Sequence, residues 1–134
     1  MVIDSSVLVA ILLGESDSDK FQRVIDASDV RLVSAMTKLE TGMVMIGRSG
    51  TAVIPEIDLL LVKIAATIVP FDEHQADIAR DAFARYGKGR HKAGLNFGDC
   101  AAYALAMLEA EPLLFKGTDF AATDVAVAGL PAEK

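Results

Sequence analysis

The sequence predicts an α/β domain of three layers, a short parallel sheet with helices on both faces. Three observations predict it. Short apolar runs (MVID, VRLVS, TIVPF and PLLF) recur along the chain, and the stretches between them carry apolar residues at helical spacing. Strands joined through helices pair in parallel, and a parallel sheet needs cover on both faces. The third is scale, since 134 residues, 52% of them hydrophobic, suffice for one core without staples. A single domain over residues 1–134 is expected, with no repeat or linker.

Each element follows from local chemistry. MVID is a strand ended by Asp4, and SSVLVAILLG is a helix entered at Ser5-Ser6 and stopped by Gly14. SDSDK offers capping residues before FQRVIDAS, where Phe21, Val24 and Ile25 recur at helical spacing. VRLVS is the second strand, and Ser34 caps AMTKLETGMVMIGR. TAVIPEIDLLLVKIAA is a further helix, with Pro55 tolerated near its start, and TIVPF is the third strand. Asp72 caps EHQADIARDAFARYG, whose buried stripe is Ile78, Ala79, Ala82 and Phe83. GKGRHKAGLN is irregular, dense in glycine and positive charge, and FGDCAAYALAMLEA is the next helix. PLLF, bounded by Pro112 and Lys116-Gly117, is a strand, and DVAVAG is the expected last one.

Composition excludes several classes. Cys100 is solitary, so no intramolecular disulfide forms, and neither a charged leader nor a cleavage site precedes the first apolar run. A cytoplasmic location is expected. VLVAILL ends at Gly14-Glu15 and LLLVKIAA is broken by Lys63, far short of the ~20 apolar residues of a membrane span. The net charge of −6 argues against broad capture of nucleic acid. Against that trend, Arg80, Arg85, Lys88, Arg90 and Lys92 are opposed by Asp81 alone.

In open parallel sheets ligands bind outside the carboxyl ends of the strands. Asp4 ends the first strand, Asp119 follows PLLF within KGTDF, and Asp99 lies in the first turn of its helix. Glu40 lies one to two turns into the helix after VRLVS, and a stripe shared with Met36, Met43, Val44 and Gly47 points it inward. Structural alternatives stand beside each reading. Asn96 and Asp99 fit a capping box, Asp4 fits a cap, Asp119 and Asp124 fit turns, and Glu40 fits a partly exposed flank. Taken together, converging carboxylates repel unless a cation neutralises them, and an all-oxygen set suits Mg²⁺ or Mn²⁺. Zinc is disfavoured, because His74 and His91 stand 17 residues apart and have no cysteine pair; His74 is expected in solvent.

MVIDSSVLVAILLGE, SAMTKLETGMVM, GRHKAGLNFGDCAAYALA and LLFKGTDFAATDV together resemble the PIN-domain family, specifically the VapC-type toxins of type II toxin–antitoxin pairs. The resemblance runs from the first residue to about Val127, and its most specific piece is LNFGDCAAYALA followed by LLFKGTDF. It implies a PIN fold and a Mg²⁺- or Mn²⁺-dependent endoribonuclease, usually a homodimer, held inactive by a cognate VapB-type antitoxin. The family's acidic quartet falls on Asp4, Glu40, Asp99 and Asp119, and Ser6 matches the small hydroxyl residue supporting the first aspartate. Thr118 departs from the Asn or Asp often found there, which leaves open a share of the metal site for Asp124. Cleavage leaving a 5′-phosphate and a 3′-hydroxyl is expected from the resemblance.

An acidic pocket repels phosphate, so cations at its rim would hold RNA; Arg80, Arg85, Lys88, Arg90 and Lys92 are the candidates, and a solvated charged face is the alternative. Tyr86 and Phe97 are candidate base-stacking residues, with core packing the first expectation for Phe97. The homodimer interface is expected on the apolar exposed side of a helix such as TAVIPEIDLLLVKIAA. Two other functions compete. One is phosphoryl transfer through an aspartyl phosphate, against which Ser6 counts because the phosphatase form wants a second acid there. The other is a non-catalytic module whose acids hold an antitoxin's arginine.

Overall fold

A computed structural model of the chain describes residues 1–129, so residues 130–134 of the expected domain lie outside the described residues. β1 (Val2–Ile3), β2 (Leu32–Ser34), β3 (Thr67–Val69) and β4 (Leu113–Leu114) form one parallel sheet in the order β3-β2-β1-β4. Val2 stands opposite both Leu32 and Leu113, and Ile3 opposite Leu114, so β1 is central. Side chains alternate across a strand, and that alternation divides the core in two. Ile3, Val33 and Leu114 face the layer made by α1 (Ser5–Leu12), α2 (Ser18–Asp26), α3 (Ala35–Ser49) and α4 (Ile54–Lys63). Val2 and Leu113 face the layer made by α5 (Glu73–Tyr86) and α6 (Phe97–Leu108). This is the three-layer α/β architecture the sequence predicts.

Capping is where local chemistry acted most directly. Ser34 accepts from the Met36 N–H, Asp72 from Gln75, Asp4 from Ser6 and Asn96 from Asp99, each starting its helix. Pro55 sits in the first turn of α4, where no amide hydrogen is missed. The alanines of α6 are fully buried, and their small side chains bring α6 close to α5 at Ala82. Among the described residues no helix is long and apolar enough to cross a membrane.

Several expectations are corrected. DVAVAG forms no strand among the described residues: a single bridge joins Val127 to Leu113, because two-residue β4 offers a ladder only for Ala126 and Ala128. Helix α4 starts at Ile54 after a 3₁₀ turn at Thr51–Val53. On α5 the inner face is Gln75 and Ala82, with Ile78 and Ala79 partly covered; Phe83 is 43% exposed because it lines an open cleft between α5 and α6. On α3 the inner face is Thr37, Thr41 and Met45, while Met43 and Val44 are exposed.

Candidate active site

Four acids from different elements meet at the carboxyl end of the sheet. Asp4 follows β1 directly and caps α1, with its Oδ2 accepting from the Ser6 N–H (3.1 Å) and Ser6 Oγ–H (2.6 Å). The Lys116 N–H in turn donates to Ser6 Oγ at 2.9 Å, tying the loop after β4 to the same group. Asp4 is buried, and its Oδ1 has no hydrogen-bond partner. Glu40 comes from the flank of α3, partly exposed, with Oε1 also buried and unpartnered. Its carboxylate lies so close to Gly98 that a Cβ there would overlap it; only glycine leaves room.

Asp99 fulfils the capping-box alternative. Its N–H donates to Asn96 Oδ1 at 2.9 Å and its Oδ2 accepts from the Asn96 N–H at 3.0 Å. The box engages one carboxylate oxygen and fixes the side chain's direction, so capping and a site role are compatible. Asp119 is exposed at the start of the 3₁₀ turn Phe120–Ala122, without a side-chain capping bond.

Electrostatics link the acids. Burial pushes the Asp4 carboxyl up to about 7; the Ser6 hydrogen bonds oppose this, and the charges of Asp99 and Glu40 add to it. Burial pushes Asp99 up to about 6, opposed by the Asn96 backbone bond and reinforced by Glu40 and Asp119. Among the described residues no three acidic, histidine or cysteine side chains close into a ready-made metal cage. The donor chemistry nevertheless fits a hard divalent cation: all-carboxylate oxygens, two of them buried without partners, one of these on the Glu40 carboxylate seated against Gly98.

A family model described as the PIN domain matches residues 1–126. The chain belongs to the PIN-domain family. Its relatives include the VapC ribonuclease Mb0640 of Mycobacterium bovis, 48% identical over 131 residues, which span 98% of this chain and 100% of the relative. Ribonuclease VapC of Mycolicibacterium smegmatis is 49% identical over 126 residues, 94% of this chain and 98% of that one. Among solved structures, Mycobacterium tuberculosis VapC20, described as a sarcin–ricin loop cleaving toxin, aligns with a TM-score of 0.78 at 14% identity, covering 96% of this chain and 98% of its own. A toxin–antitoxin complex from Klebsiella pneumoniae aligns with a TM-score of 0.68 at 16% identity, covering 94% of each. These two share the PIN fold.

The remaining candidates of this PIN domain are placed differently from one another. Asp124 is held by Tyr103, whose Oη–H donates to Oδ1 at 2.5 Å, and by Arg85, which reaches Oδ2 at 3.4 Å. Asp124, the candidate for a share in the metal site, thus has a partner on each carboxylate oxygen. Arg85 also binds Asp81 (3.1 Å) and Tyr103 Oη (3.0 Å) and stacks over Tyr86, so this candidate RNA contact is committed within the fold. Arg80 pairs with Asp77 on the surface, and Arg90 donates to the Ala84 carbonyl at 3.1 Å. Lys88 and Lys92 are exposed.

Phe97 is 77% exposed, which overturns its expected core packing: as the first residue of α6 it has no helix over it. Its ring borders a cavity of about 420 Å³ with Phe71, Phe83 and Arg80, and on its other side a groove containing Glu40. Tyr86 is half-buried against His91 and Tyr103. His74 is exposed, as expected, and burial pushes the Cys100 thiol up to about 11, leaving it unreactive. Tyr103 was not singled out by the sequence. The available signal was its position four residues after Asp99, on the same helix face.

Proposed function

We propose that this PIN domain is an endoribonuclease of the VapC type that depends on Mg²⁺ or Mn²⁺, acts in the cytoplasm and is restrained by a cognate antitoxin. The observation that carries it is the pair of buried, unpartnered oxygens, Asp4 Oδ1 and Glu40 Oε1, at a site crowded with like charge. In a chain about half identical to VapC ribonucleases, those oxygens are the donors a cation would satisfy.

Asp4, Glu40, Asp99 and Asp119 would hold the metal. A divalent cation supplies a lowered pKa for a water nucleophile and charge compensation for the scissile phosphate and departing 3′ oxygen. The chain does the positioning. Ser6 orients Asp4, the capping box aims Asp99, and Gly98 leaves the room in which the Glu40 carboxylate sits. Lys88, Arg90, Lys92 and Arg80 form the cationic rim that holds RNA phosphates, and exposed Phe97 offers a stacking face for an unpaired base. Hydrolysis leaves a 5′-phosphate and a 3′-hydroxyl. Exposed Leu39, Met43, Ile54, Leu59 and Val62 on α3 and α4 support a homodimer through that apolar band. An aspartyl-phosphate role for Asp4 is disfavoured, because Ser6 stands where the phosphatase form wants a second acid.

The test is cleavage of defined RNA with and without Mg²⁺ or Mn²⁺. Metal-dependent cleavage with 5′-phosphate ends, lost in Asp99→Asn and suppressed by a co-expressed antitoxin, is expected. Cleavage that persists in chelator, or in the Asp99 variant, overturns the reading.

A further inference from the structure

We infer that Asp124 is a positioning residue rather than a metal ligand, and that with Tyr103 and Arg85 it forms a tether holding Asp119 at its distance from Asp99. The inference rests on the metal-site reading above and assigns the fifth acid a different task.

Asp119 has no side-chain bond of its own at the head of its 3₁₀ turn, so its place depends on how the backbone is fastened on either side. Upstream, the Lys116 N–H bonds Ser6 Oγ, which bonds Asp4, and the Phe115 and Phe120 rings pack 5.1 Å apart. Downstream, Asp124 is fastened by Tyr103 at 2.5 Å and Arg85 at 3.4 Å, and Arg85 itself reaches Tyr103 Oη at 3.0 Å and Asp81 at 3.1 Å. Tyr103 is completely buried and lies one turn after Asp99 along the same face of α6. The loop bearing Asp119 is therefore pinned upstream to the group that orients Asp4 and downstream to the helix that carries Asp99. Such pinning has a physical purpose: Asp119 and Asp99 repel, and an irregular loop without an anchor would relax outward.

Asp124 is poorly suited to bind metal itself. Both its oxygens have partners within the fold, whereas the charges that raise Asp99 are those of Glu40 and Asp119.

Tyr103→Phe separates the alternatives, because it keeps the ring and removes the hydroxyl that donates to Asp124 and accepts from Arg85. Mn²⁺ affinity is measured by titration calorimetry on the full chain, with Asp119→Asn marking the loss of a true ligand and melting in chelator reporting the fold. We expect Tyr103→Phe and Asp124→Ala each to weaken Mn²⁺ binding roughly tenfold, as loss of an outer partner of a metal site does. Their combination should weaken it no further, and Asp124→Asn, still an acceptor for Tyr103, should lose less. Were Asp124 a ligand, Tyr103→Phe would release it and Mn²⁺ affinity would hold or rise; that result overturns the proposal. So does a Tyr103→Phe protein that melts earlier yet binds Mn²⁺ as the wild type does. If Tyr103→Phe fails to fold, Arg85→Met loosens the same tether from the surface and carries the same expectation. A wild type that binds no Mn²⁺ overturns the metal reading and this proposal together, whereas a binding wild type with an indifferent Tyr103→Phe overturns the proposal alone.

Discussion

Replacing Asp4 by Asn should stabilise the metal-free protein at alkaline pH, although it destroys the site. Asn keeps the cap, since its Oδ1 can accept from both the Ser6 N–H and Oγ–H that Asp4 Oδ2 now holds. What is lost is a buried negative charge. Its carboxyl binds a proton more tightly folded than unfolded, rising from 3.8 to about 7, chiefly through burial. The stability it contributes is therefore complete below pH 3.8 and is lost as the pH climbs through about 7. At ~1.4 kcal/mol per pH unit, that interval makes ionised Asp4 a liability of about 4 kcal/mol at pH 8. The Asn amide, placed where Oδ1 has no partner, gives back about 1–3 kcal/mol as an unsatisfied donor. The net gain is about 1–3 kcal/mol, several degrees in Tm for a domain of this size. Circular-dichroism melts in chelator from pH 4 to 8.5 should show a wild-type Tm that falls with rising pH and a variant that falls much less, the two crossing at about pH 4.5–6, where the ionisation cost of Asp4 matches that of the Asn amide. Adding Mn²⁺ should reverse the order at pH 8 by stabilising the wild type alone. Parallel pH profiles with the variant melting lower throughout would refute the reasoning and return Asp4 to a purely capping role.

Other perturbations read different parts of the site. Gly98→Ala places a methyl group in the Glu40 carboxylate; helix propensity favours the change, so the fold should persist while single-turnover cleavage drops at least ~10-fold. Neutralising Lys88, Arg90 and Lys92 together, leaving Arg85 in its network, should weaken RNA binding in Ca²⁺ and flatten the slope of log affinity against log salt by roughly 0.7 per lost phosphate contact. Equal affinities on parallel lines would make these residues a solvated face. Leu59→Glu with Val62→Glu, on the exposed side of α4, should leave sedimentation at the 14.2 kDa monomer where the wild type sediments as a dimer.

What was legible in the sequence was mostly short-range. Ser34, Asp72 and the Asn96–Asp99 pair announced their helices because a cap bonds an amide two or three residues away, and that distance is written in the chain. The apolar runs located all four strands because each is a short buried segment between helices. Periodicity, however, says which residues share a face and not what covers it. Met43, Val44 and Phe83 fit helical stripes and still face outward, since α3 turns Thr37 and Thr41 inward and α5 meets α6 through alanine. Spacing alone also left Asp119 and Asp124 both eligible, five residues apart in one loop. What differs is their surroundings, since Asp124 is held by Tyr103 and Arg85, partners from distant elements, and Asp119 has no side-chain capping bond.

The hydrogen bond from the Lys116 amide to Ser6 joins residues 110 positions apart, and β1 is flanked by β4 from near the other end of the chain. Contacts of such long range carry a large loop-closure cost, because so much chain must be fixed for them to close. The link between Ser6 and the loop that carries Asp119 therefore closes a long stretch of chain, and a chain still short of Lys116 lacks it. A PIN domain whose acids include Asp4 after β1 and Asp119 after β4 has no complete centre until the loop after β4 has been made.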